Sequence, residues 1–147
     1  MKPLVEIQNL VKYFYLGGNQ RVHAVDDVSL SINPREIVGL VGESGSGKST
    51  LGKTVLGLHD KTDGNVSFAG QVLPQRYRAS DFRAMAPKMQ MIFQDPYSSL
   101  NPRMMVGEIV GEGLRLQPEL SASDVQDRVA HWLKLVALSP DHRSRYP

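Results

Sequence analysis

The sequence has no cysteine among its 147 residues. This excludes a disulfide framework, a thiolate zinc site and a cysteine nucleophile, and it suits a reducing compartment such as the cytoplasm. No apolar run approaches the roughly 18 residues that a membrane-spanning helix needs. The N-terminus, Met-Lys-Pro-Leu-Val-Glu, lacks the apolar centre of a signal peptide. We therefore expect any membrane association to go through a partner.

The chain also lacks a strong charge of either sign. It carries 17 Lys and Arg residues against 15 Asp and Glu residues, a net charge of +2, and no basic run stands out. This balance does not indicate a nucleic-acid partner. A hydrophobic content of 41% and a charged content of 22% are typical of a globular protein, either one domain or part of a larger one.

A glycine-rich stretch is the strongest signal that is present. Residues 42–50 read Gly-Glu-Ser-Gly-Ser-Gly-Lys-Ser-Thr and fit the phosphate-binding loop G-x-x-x-x-G-K-S/T. Its glycines allow a tight turn and a close approach to phosphate, while successive N–H groups and the following helix N-terminus attract an anion. Lys48 can reach the β- and γ-phosphates, and the Ser49 hydroxyl can ligate Mg²⁺. The predicted nucleotide-binding residues are Gly42, Glu43, Ser44, Gly45, Ser46, Gly47, Lys48, Ser49 and Thr50.

The flanks of the loop fit the same interpretation. The apolar run at 36–42 predicts a short buried strand, and residues 48–58 predict a helix. A strand, a glycine loop and a helix in this order are the setting that a phosphate-binding loop requires. The apolar face of the predicted helix consists of Leu51, Val55, Leu56 and Leu58.

Antiparallel β structure is predicted before the loop. Residues 3–16 predict one or two strands ended by Gly17-Gly18-Asn19, and residues 22–32 alternate as a half-exposed strand does. A turn is expected at 33–36. This β region argues against a small P-loop kinase or GTPase, in which the loop follows the first strand.

After the loop, the pattern predicts further short elements. A strand is expected at 65–70 and another at 88–94, with a short helix between them that Ser80 or Asp81 caps and that runs to Met85. A proline-bounded loop is expected at 95–102.

Helices are predicted in the last third of the chain, near 104–116 and near 123–138. The second helix begins with a capping box, Ser123 and Gln126, and has Trp132 alongside its apolar face. That face consists of Val125, Val129, Leu133 and Val136. No pattern is visible at 141–147.

Three separated segments resemble the ATP-binding subunits of ABC transporters. They are Leu10-Val-Lys-Tyr-Phe14, the loop at 42–50, and Met91-Ile-Phe-Gln-Asp-Pro-Tyr-Ser-Ser-Leu-Asn-Pro102. The phrase Phe93-Gln-Asp-Pro-Tyr-Ser-Ser-Leu-Asn-Pro-Arg103 is similar to the dipeptide and oligopeptide importer branch in particular. The resemblance covers essentially the whole chain.

The resemblance implies an α/β fold, the P-loop NTPase domain of ABC type, present here in its N-terminal part. It assigns residues 1–36 and 60–72 to an antiparallel β region. It assigns residues 37–58 and 88–94 to the P-loop core, and residues 96–147 to part of a helical subdomain.

The resemblance also implies roles for two residues outside the loop. Phe14 matches the aromatic residue that stacks on adenine, with Tyr13 and Tyr15 close enough in sequence to be mistaken for it. Gln94 matches the glutamine that meets Mg²⁺ and the attacking water. ATP and Mg²⁺ are the implied cofactors. A second ABC ATPase subunit and membrane permease subunits are the implied partners, at the cytoplasmic face of the inner membrane.

Several family features are missing from the sequence. The signature Leu/Phe-Ser-Gly-Gly-Gln is not found, nor is the apolar strand that ends in Asp, the Glu that follows it, or the later His. We therefore expect the N-terminal half of such a subunit, with impaired hydrolysis because water activation lacks its base. The parallel sheet is expected to have an open apolar edge.

The leading interpretation is an energy-coupling subunit of an importer for peptides or related small solutes. One alternative is a non-catalytic fragment that binds nucleotide or a permease. Others are an ABC-type ATPase that is not involved in transport, and a P-loop kinase or GTPase. Binding without turnover, co-purification with a permease, and phosphate transfer to a small acceptor would discriminate among them.

Overall fold

The fold is taken from a computed structural model, which describes residues 2–18, 20–95 and 99–147. The chain forms two compact units, Met1–Met91 and Ile92–Pro147. Each unit has a hydrophobic core of its own.

A long hairpin begins the first unit. Strand β1 (Val5–Gly17) pairs antiparallel with β2 (Gln20–Ile32), from Val5 opposite Ile32 to Gly17 opposite Gln20. Gly17 has φ 102°, a left-handed conformation that glycine adopts without the steric cost of a side chain. The predicted antiparallel region before the loop is confirmed, as one strand at each of the two predicted places.

Two further strands complete an antiparallel sheet. Strand β3 (Asp63–Phe68) pairs with the other edge of β1, and β4 (Gln71–Val72) pairs with β3. The order across the sheet is β2-β1-β3-β4. The strand predicted at 65–70 is thus present, and β1 lies at the centre of the sheet.

A bulge in β1 explains the spacing of its buried residues. Ile7 and Leu10 are both buried although they are three positions apart, which strict alternation would not allow. The register shifts between them, and Asn9 adopts φ 48°. The Asn9 amide nitrogen Nδ2 donates to Asp27 Oδ1 at 2.7 Å, and the Asn9 N–H donates to Ser29 Oγ at 2.8 Å. The extra residue is held outside the core, so that Leu10 returns to it.

Helix α1 (Lys48–Val55) follows the loop and packs against the sheet, with Leu51 in the same core as Leu10 and Val25. Leu51 is buried, as predicted, and so is Thr54, whose hydroxyl donates to the Thr50 carbonyl at 2.7 Å. The helix ends at Val55 and not at the predicted residue 58. Gly57 ends it with φ 75°, in the left-handed conformation of a helix C-terminus.

The predicted cap of the next helix is displaced. Helix α2 (Ala79–Met85) has Arg78, and neither Ser80 nor Asp81, at its N-cap. Asp81 lies in the first turn, where its carboxylate accepts the Arg78 N–H at 2.7 Å. Asp81 thus caps the helix from its third position by reaching back to the N-cap N–H, and its negative charge also compensates the helix dipole.

The predicted strands at 36–42 and 88–94 are not strands in this structure. Neither segment pairs with any strand in the described part of the chain. Ile37 and Val41 are 98% and 95% exposed, so the predicted burial is wrong as well. The apolar pattern is that of a strand, but a strand also needs a neighbour to take its hydrogen bonds. The turn predicted at 33–36 is present, since the Glu36 N–H donates to the Asn33 carbonyl at 3.2 Å.

The second unit is helical. Helix α3 (Val106–Gly111) is followed by a 3₁₀ turn (Leu114–Leu116), then by helix α4 (Ala122–Leu135) and a 3₁₀ turn (Pro140–Ser144). The region predicted as one helix near 104–116 is therefore two short elements. The last turn falls where no pattern was visible. The core of this unit consists of Leu114, Val125, Val129 and Leu133.

Helix α4 confirms most of its predicted face. Its capping box is formed by Ser121 and Asp124, two residues before the predicted pair: Ser121 Oγ accepts the Asp124 N–H at 3.1 Å, and the Asp124 carboxylate accepts the Ser121 N–H at 2.9 Å. Val136 is 66% exposed because the helix has ended at Leu135. Trp132 is 41% exposed and contributes to the surface.

None of the helices in the described part of the chain is long and apolar enough to cross a membrane.

Candidate nucleotide-binding site

Three hydrogen bonds of the loop converge on the Lys48 side chain. Its ammonium nitrogen Nζ donates to the Gly42 carbonyl at 2.7 Å, to the Glu43 carbonyl at 2.5 Å and to Ser46 Oγ at 3.1 Å. An ammonium group has three protons to donate, and three acceptors of the loop surround it. The side chain therefore folds back over the loop and closes it around a positive charge.

Two glycines of this loop leave little room for a side chain, and at Gly47 the backbone conformation requires glycine as well. A Cβ on Gly42 would come to 2.9 Å from Ser46 Oγ, the acceptor of Lys48. Gly47 has φ 91°, and a Cβ on it would be nearer than 3.0 Å to the Ala24 carbonyl oxygen. The loop thus touches the backbone of β2, and a side chain would fill the space that lets it do so.

The N-terminus of α1 is open. Gly47 is the N-cap residue and provides no side-chain hydrogen bond, and the first turn contains no acidic residue. The first N–H groups of a helix have no intrahelical acceptor, and the dipole places partial positive charge there. Together with the Lys48 ammonium, this end of α1 fits an anionic group such as a nucleotide phosphate.

The remaining loop residues differ in exposure. Glu43, Ser44, Gly45, Ser46 and Ser49 are exposed, whereas Lys48 and Thr50 are half-buried. The Ser49 hydroxyl stands one residue into α1, where a nucleotide-bound Mg²⁺ could reach it. Its predicted role as a metal ligand stays a prediction.

Phe14 lies on β1 opposite Val22 and is half-buried. Its ring meets the His59 ring edge to face, with centroids 5.2 Å apart and an interplanar angle of 88°. The Lys12 ammonium lies 4.8 Å from the ring centroid. Partial burial, followed by the positive charges of Lys12 and Lys53, lowers the pKa of His59. The predicted stacking of Phe14 on a base stays a prediction, but the ring has a defined and positively charged environment.

Tyr13, the sequence neighbour of Phe14, has different contacts. Its ring stacks on His23 with centroids 3.9 Å apart, and its hydroxyl donates to Asp26 Oδ1 at 2.5 Å. This hydrogen bond raises the pKa of Tyr13 and lowers the pKa of Asp26. The Arg21 guanidinium carbon lies 5.0 Å from the Tyr13 centroid. Tyr13 is therefore engaged in a surface cluster with His23, Asp26 and Arg21.

Gln94 belongs to the second unit, whereas the loop belongs to the first. It is exposed. Pro96, Tyr97 and Ser98, in the loop predicted at 95–102, lie outside the described residues. The predicted contact of Gln94 with Mg²⁺ and water stays a prediction.

Sequence reasoning missed three neighbours of the site: Ala24, Lys12 and His59. The alternation of side chains along a strand could have placed Lys12 beside Phe14, because residues two apart share a face. No signal in the sequence could have placed the Ala24 carbonyl against Gly47 or the His59 ring against Phe14. Both contacts depend on the register of β1 with β2 and on the path of the chain after α1.

The sequence profile of the ABC transporter family matches residues 25–146. The chain belongs to this family. Among its relatives, the oligopeptide transport ATP-binding protein OppF of Bacillus subtilis (strain 168) is 43% identical over 147 residues, which are 99% of this chain and 48% of that protein. The dipeptide transport ATP-binding protein DppF of Lactococcus lactis subsp. cremoris is 44% identical, with 99% of this chain and 47% of that protein covered. The chain thus spans about half the length of the curated relatives it matches.

Solved structures agree with this family. The ATP-binding cassette MJ0796, solved as a dimer in a post-hydrolysis state with ADP and Pi, matches with a TM-score of 0.85 and 25% identity. The match covers 97% of this chain and 61% of that one. The cbiO1 protein of Clostridium perfringens matches with a TM-score of 0.73 at 22% identity, which supports the fold alone. The predicted ABC transporter family and its cassette fold are confirmed. The two relatives above are named for oligopeptide and dipeptide transport.

Proposed function

We propose that this chain is the nucleotide-binding part of an ATP-binding subunit of an ABC importer, and that the importer moves peptides or related small solutes. One observation carries the proposal: the loop at 42–50 is built around the Lys48 ammonium at the open N-terminus of α1. The peptide-transport names of the relatives support the substrate class.

The residues present fit Mg²⁺-ATP. The open first turn of α1 and the Lys48 ammonium would hold the phosphates, and the Ser49 hydroxyl would hold Mg²⁺. Bound Mg²⁺ neutralises phosphate charge. Phe14 would stack on the base, and Gln94 would meet Mg²⁺ and the attacking water. The loop glycines keep the backbone close enough for its N–H groups to act as donors.

Phosphate binding requires Lys48 to exchange partners. Its ammonium is bonded to two carbonyls and one hydroxyl of the loop, so a phosphate oxygen must replace at least one of them. The exchange is favourable because the phosphate oxygen is anionic, so attraction between unlike charges adds to its hydrogen bond with the ammonium, whereas the carbonyl and hydroxyl oxygens are neutral. We therefore expect nucleotide binding to loosen the Lys48 contact with Ser46, the longest of the three at 3.1 Å.

The same proposal includes partners and turnover. A second ATPase subunit and membrane permease subunits would be the partners, and the site of action would be the cytoplasmic face of the inner membrane. Residues 1–36 and 60–72 would form the β region, 37–58 and 88–94 the P-loop core, and 96–147 part of the helical subdomain. Because these 147 residues contain no Leu/Phe-Ser-Gly-Gly-Gln signature, we propose that they bind nucleotide with weak or no hydrolysis on their own.

Calorimetric titration of Mg²⁺-ATP into the 147-residue chain tests the proposal. We expect saturable binding that Lys48→Ala removes and that Lys53→Ala retains. Lys53 is the matched control because it lies on the same helix outside the loop. Equal binding by all three proteins would contradict a phosphate site at Lys48. Hydrolysis by this chain at the rate of an intact subunit would contradict the proposed lack of turnover.

A further inference from the structure

The ring of Phe14 already has a charged partner on one face. The Lys12 ammonium lies over it, 4.8 Å from the centroid. A cation within about 6 Å of a ring centroid is attracted by the negative face of the π system. His59 stands at right angles to the same ring. A flat base that stacks on Phe14 therefore meets a ring that Lys12 and His59 already contact.

Lys12 lies on the side of Phe14 that leads to the phosphate loop. Lys12 pairs with Val25, whereas Phe14 pairs with Val22. Between these pairs β2 contains one extra residue, Ala24, because Tyr13 already pairs with His23. This bulge residue is the one whose carbonyl meets Gly47 of the loop. Bulges commonly re-aim the backbone next to functional sites.

The distances along the hairpin follow from this register. Lys12 is level with the contact between β2 and the loop, and Phe14 lies two residues, or about 7 Å, further along β1. A nucleotide with its phosphates in the loop and its base on Phe14 would extend past the level of Lys12 along the hairpin. The Lys12 ammonium lies over the Phe14 ring.

We propose that Lys12 gates the base position: its ammonium occupies the face of Phe14 on which a nucleotide base stacks, and the base binds by displacing it. This inference rests on the proposed function, because it assumes that the loop binds the phosphates of the same nucleotide. Displacement replaces a cation–π contact by base–aromatic stacking. The net gain from the base is therefore smaller than stacking on a free ring would give.

The size of the effect follows from the exposure of the site. A cation–π contact at an exposed site corresponds to roughly a two- to fivefold change in an equilibrium constant. Removing the cation while keeping the side-chain stem should raise the contribution of the base by this factor. The contribution of the phosphates must be separated from it, because losing a positive charge near the site also weakens phosphate binding.

The experiment compares Mg²⁺-ATP with Mg²⁺-tripolyphosphate, which has the phosphates and no base. Calorimetry gives the affinity for Mg²⁺-ATP divided by the affinity for Mg²⁺-tripolyphosphate. This ratio is measured for the wild-type chain, Lys12→Met, Lys12→Gln and Lys12→Arg. We expect the ratio to shift two- to fivefold towards ATP in the Met and Gln variants and to stay at the wild-type value in the Arg variant. Lys53→Met is the charge-matched control, because Lys53 is the other lysine whose charge acts on His59, and it should leave the ratio unchanged.

A double-mutant cycle identifies Phe14 as the partner. In a Phe14→Ala background, Lys12→Met should no longer shift the ratio, because the ring that holds the cation is gone. An unchanged or lower ratio in both uncharged Lys12 variants, with both ligands still bound, would overturn the gating role alone. Failure of the wild-type chain to bind either ligand would overturn the proposed function and the gating role together.

Discussion

Replacing Gly47 by alanine will destabilise the first unit by more than replacing Gly45 by alanine. Both glycines have left-handed backbones, with φ 91° and φ 82°. The two sites differ in the room that they leave for a Cβ atom. A Cβ on Gly47 would be nearer than 3.0 Å to the Ala24 carbonyl oxygen, whereas a Cβ on Gly45 would meet nothing within 4 Å. Gly45→Ala therefore measures the backbone cost alone, and Gly47→Ala measures the backbone cost together with the clash.

The two costs can be given magnitudes. A non-glycine residue in the left-handed region costs about 1–2 kcal/mol. Forcing an extra methyl group into an occupied space costs about 1–3 kcal/mol, and the neighbour here is backbone of a paired strand, which cannot rotate away. We expect a loss of about 1–2 kcal/mol in the free energy of unfolding for Gly45→Ala and about 2–5 kcal/mol for Gly47→Ala.

Urea denaturation followed by far-UV circular dichroism measures both losses on the 147-residue chain. Phosphate affinity should fall with Gly47→Ala as well, because the displaced backbone moves the open end of α1, and Lys48 with it, relative to the rest of the loop. Equal losses of stability in the two variants would refute the contact between the loop and β2. The same contact places Lys12 level with the loop, as the proposed gating role of Lys12 requires.

Three further predictions concern the cores, the pH dependence and a helix cap. Leu10→Ala should lower the free energy of unfolding by about 2–5 kcal/mol, because Leu10 is 0% exposed. Leu58→Ala should change it by only about 0.5 kcal/mol, because Leu58 is 46% exposed. Urea midpoints compare the two variants, and equal effects would contradict the placement of Leu10 in the core. Burial and two neighbouring lysines lower the pKa of His59 in the folded chain, so the unfolded chain binds more protons once the pH falls below the unfolded pKa of about 6.5. Stability should therefore decrease from pH 7 towards pH 5, and a His59→Gln variant should lose less over that window; an equal or greater loss in the variant would contradict the sign of the shift. Ser121→Ala should destabilise α4 by about 1 kcal/mol and Ser123→Ala by much less, because only Ser121 caps the helix. Thermal melts of the two variants measure the difference. A larger effect of Ser123→Ala would favour the cap predicted from the sequence.

The tight turn of the loop at 42–50 could be predicted from the sequence because its contacts are local. The glycines, Lys48 and Ser49 lie within nine consecutive residues, and the contacts of Lys48 are with Gly42, Glu43 and Ser46 of the same stretch. Helix α4 was predicted well for a similar reason, since its apolar spacing fixes its buried face. The errors lay at its two ends. Ser121 and Ser123 present the same capping chemistry two residues apart, and the helix ends at Leu135, which leaves Val136 exposed.

The segments at 36–42 and 88–94 show what sequence patterns leave open. An apolar run indicates that a segment is suited to a buried strand, but pairing depends on a neighbour that is distant in the sequence. Such a neighbour is lacking in the described part of the chain, and Ile37 is 98% exposed. The surroundings of Phe14 escaped prediction for a related reason. They depend on the bulge at Ala24 and on the path that brings His59 back to β1.

The most direct test of the account is the titration of Mg²⁺-ATP into the wild-type chain and into Lys48→Ala. A hydrogen bond to a charged group contributes about 1.5–3 kcal/mol, so loss of the ammonium should weaken binding by at least about tenfold. Saturable binding by the wild type with this loss in the variant is the result that the account predicts. Binding of equal strength in both, or no binding by a wild-type chain that melts cooperatively, would contradict the claim that residues 42–50 form a nucleotide site in this protein.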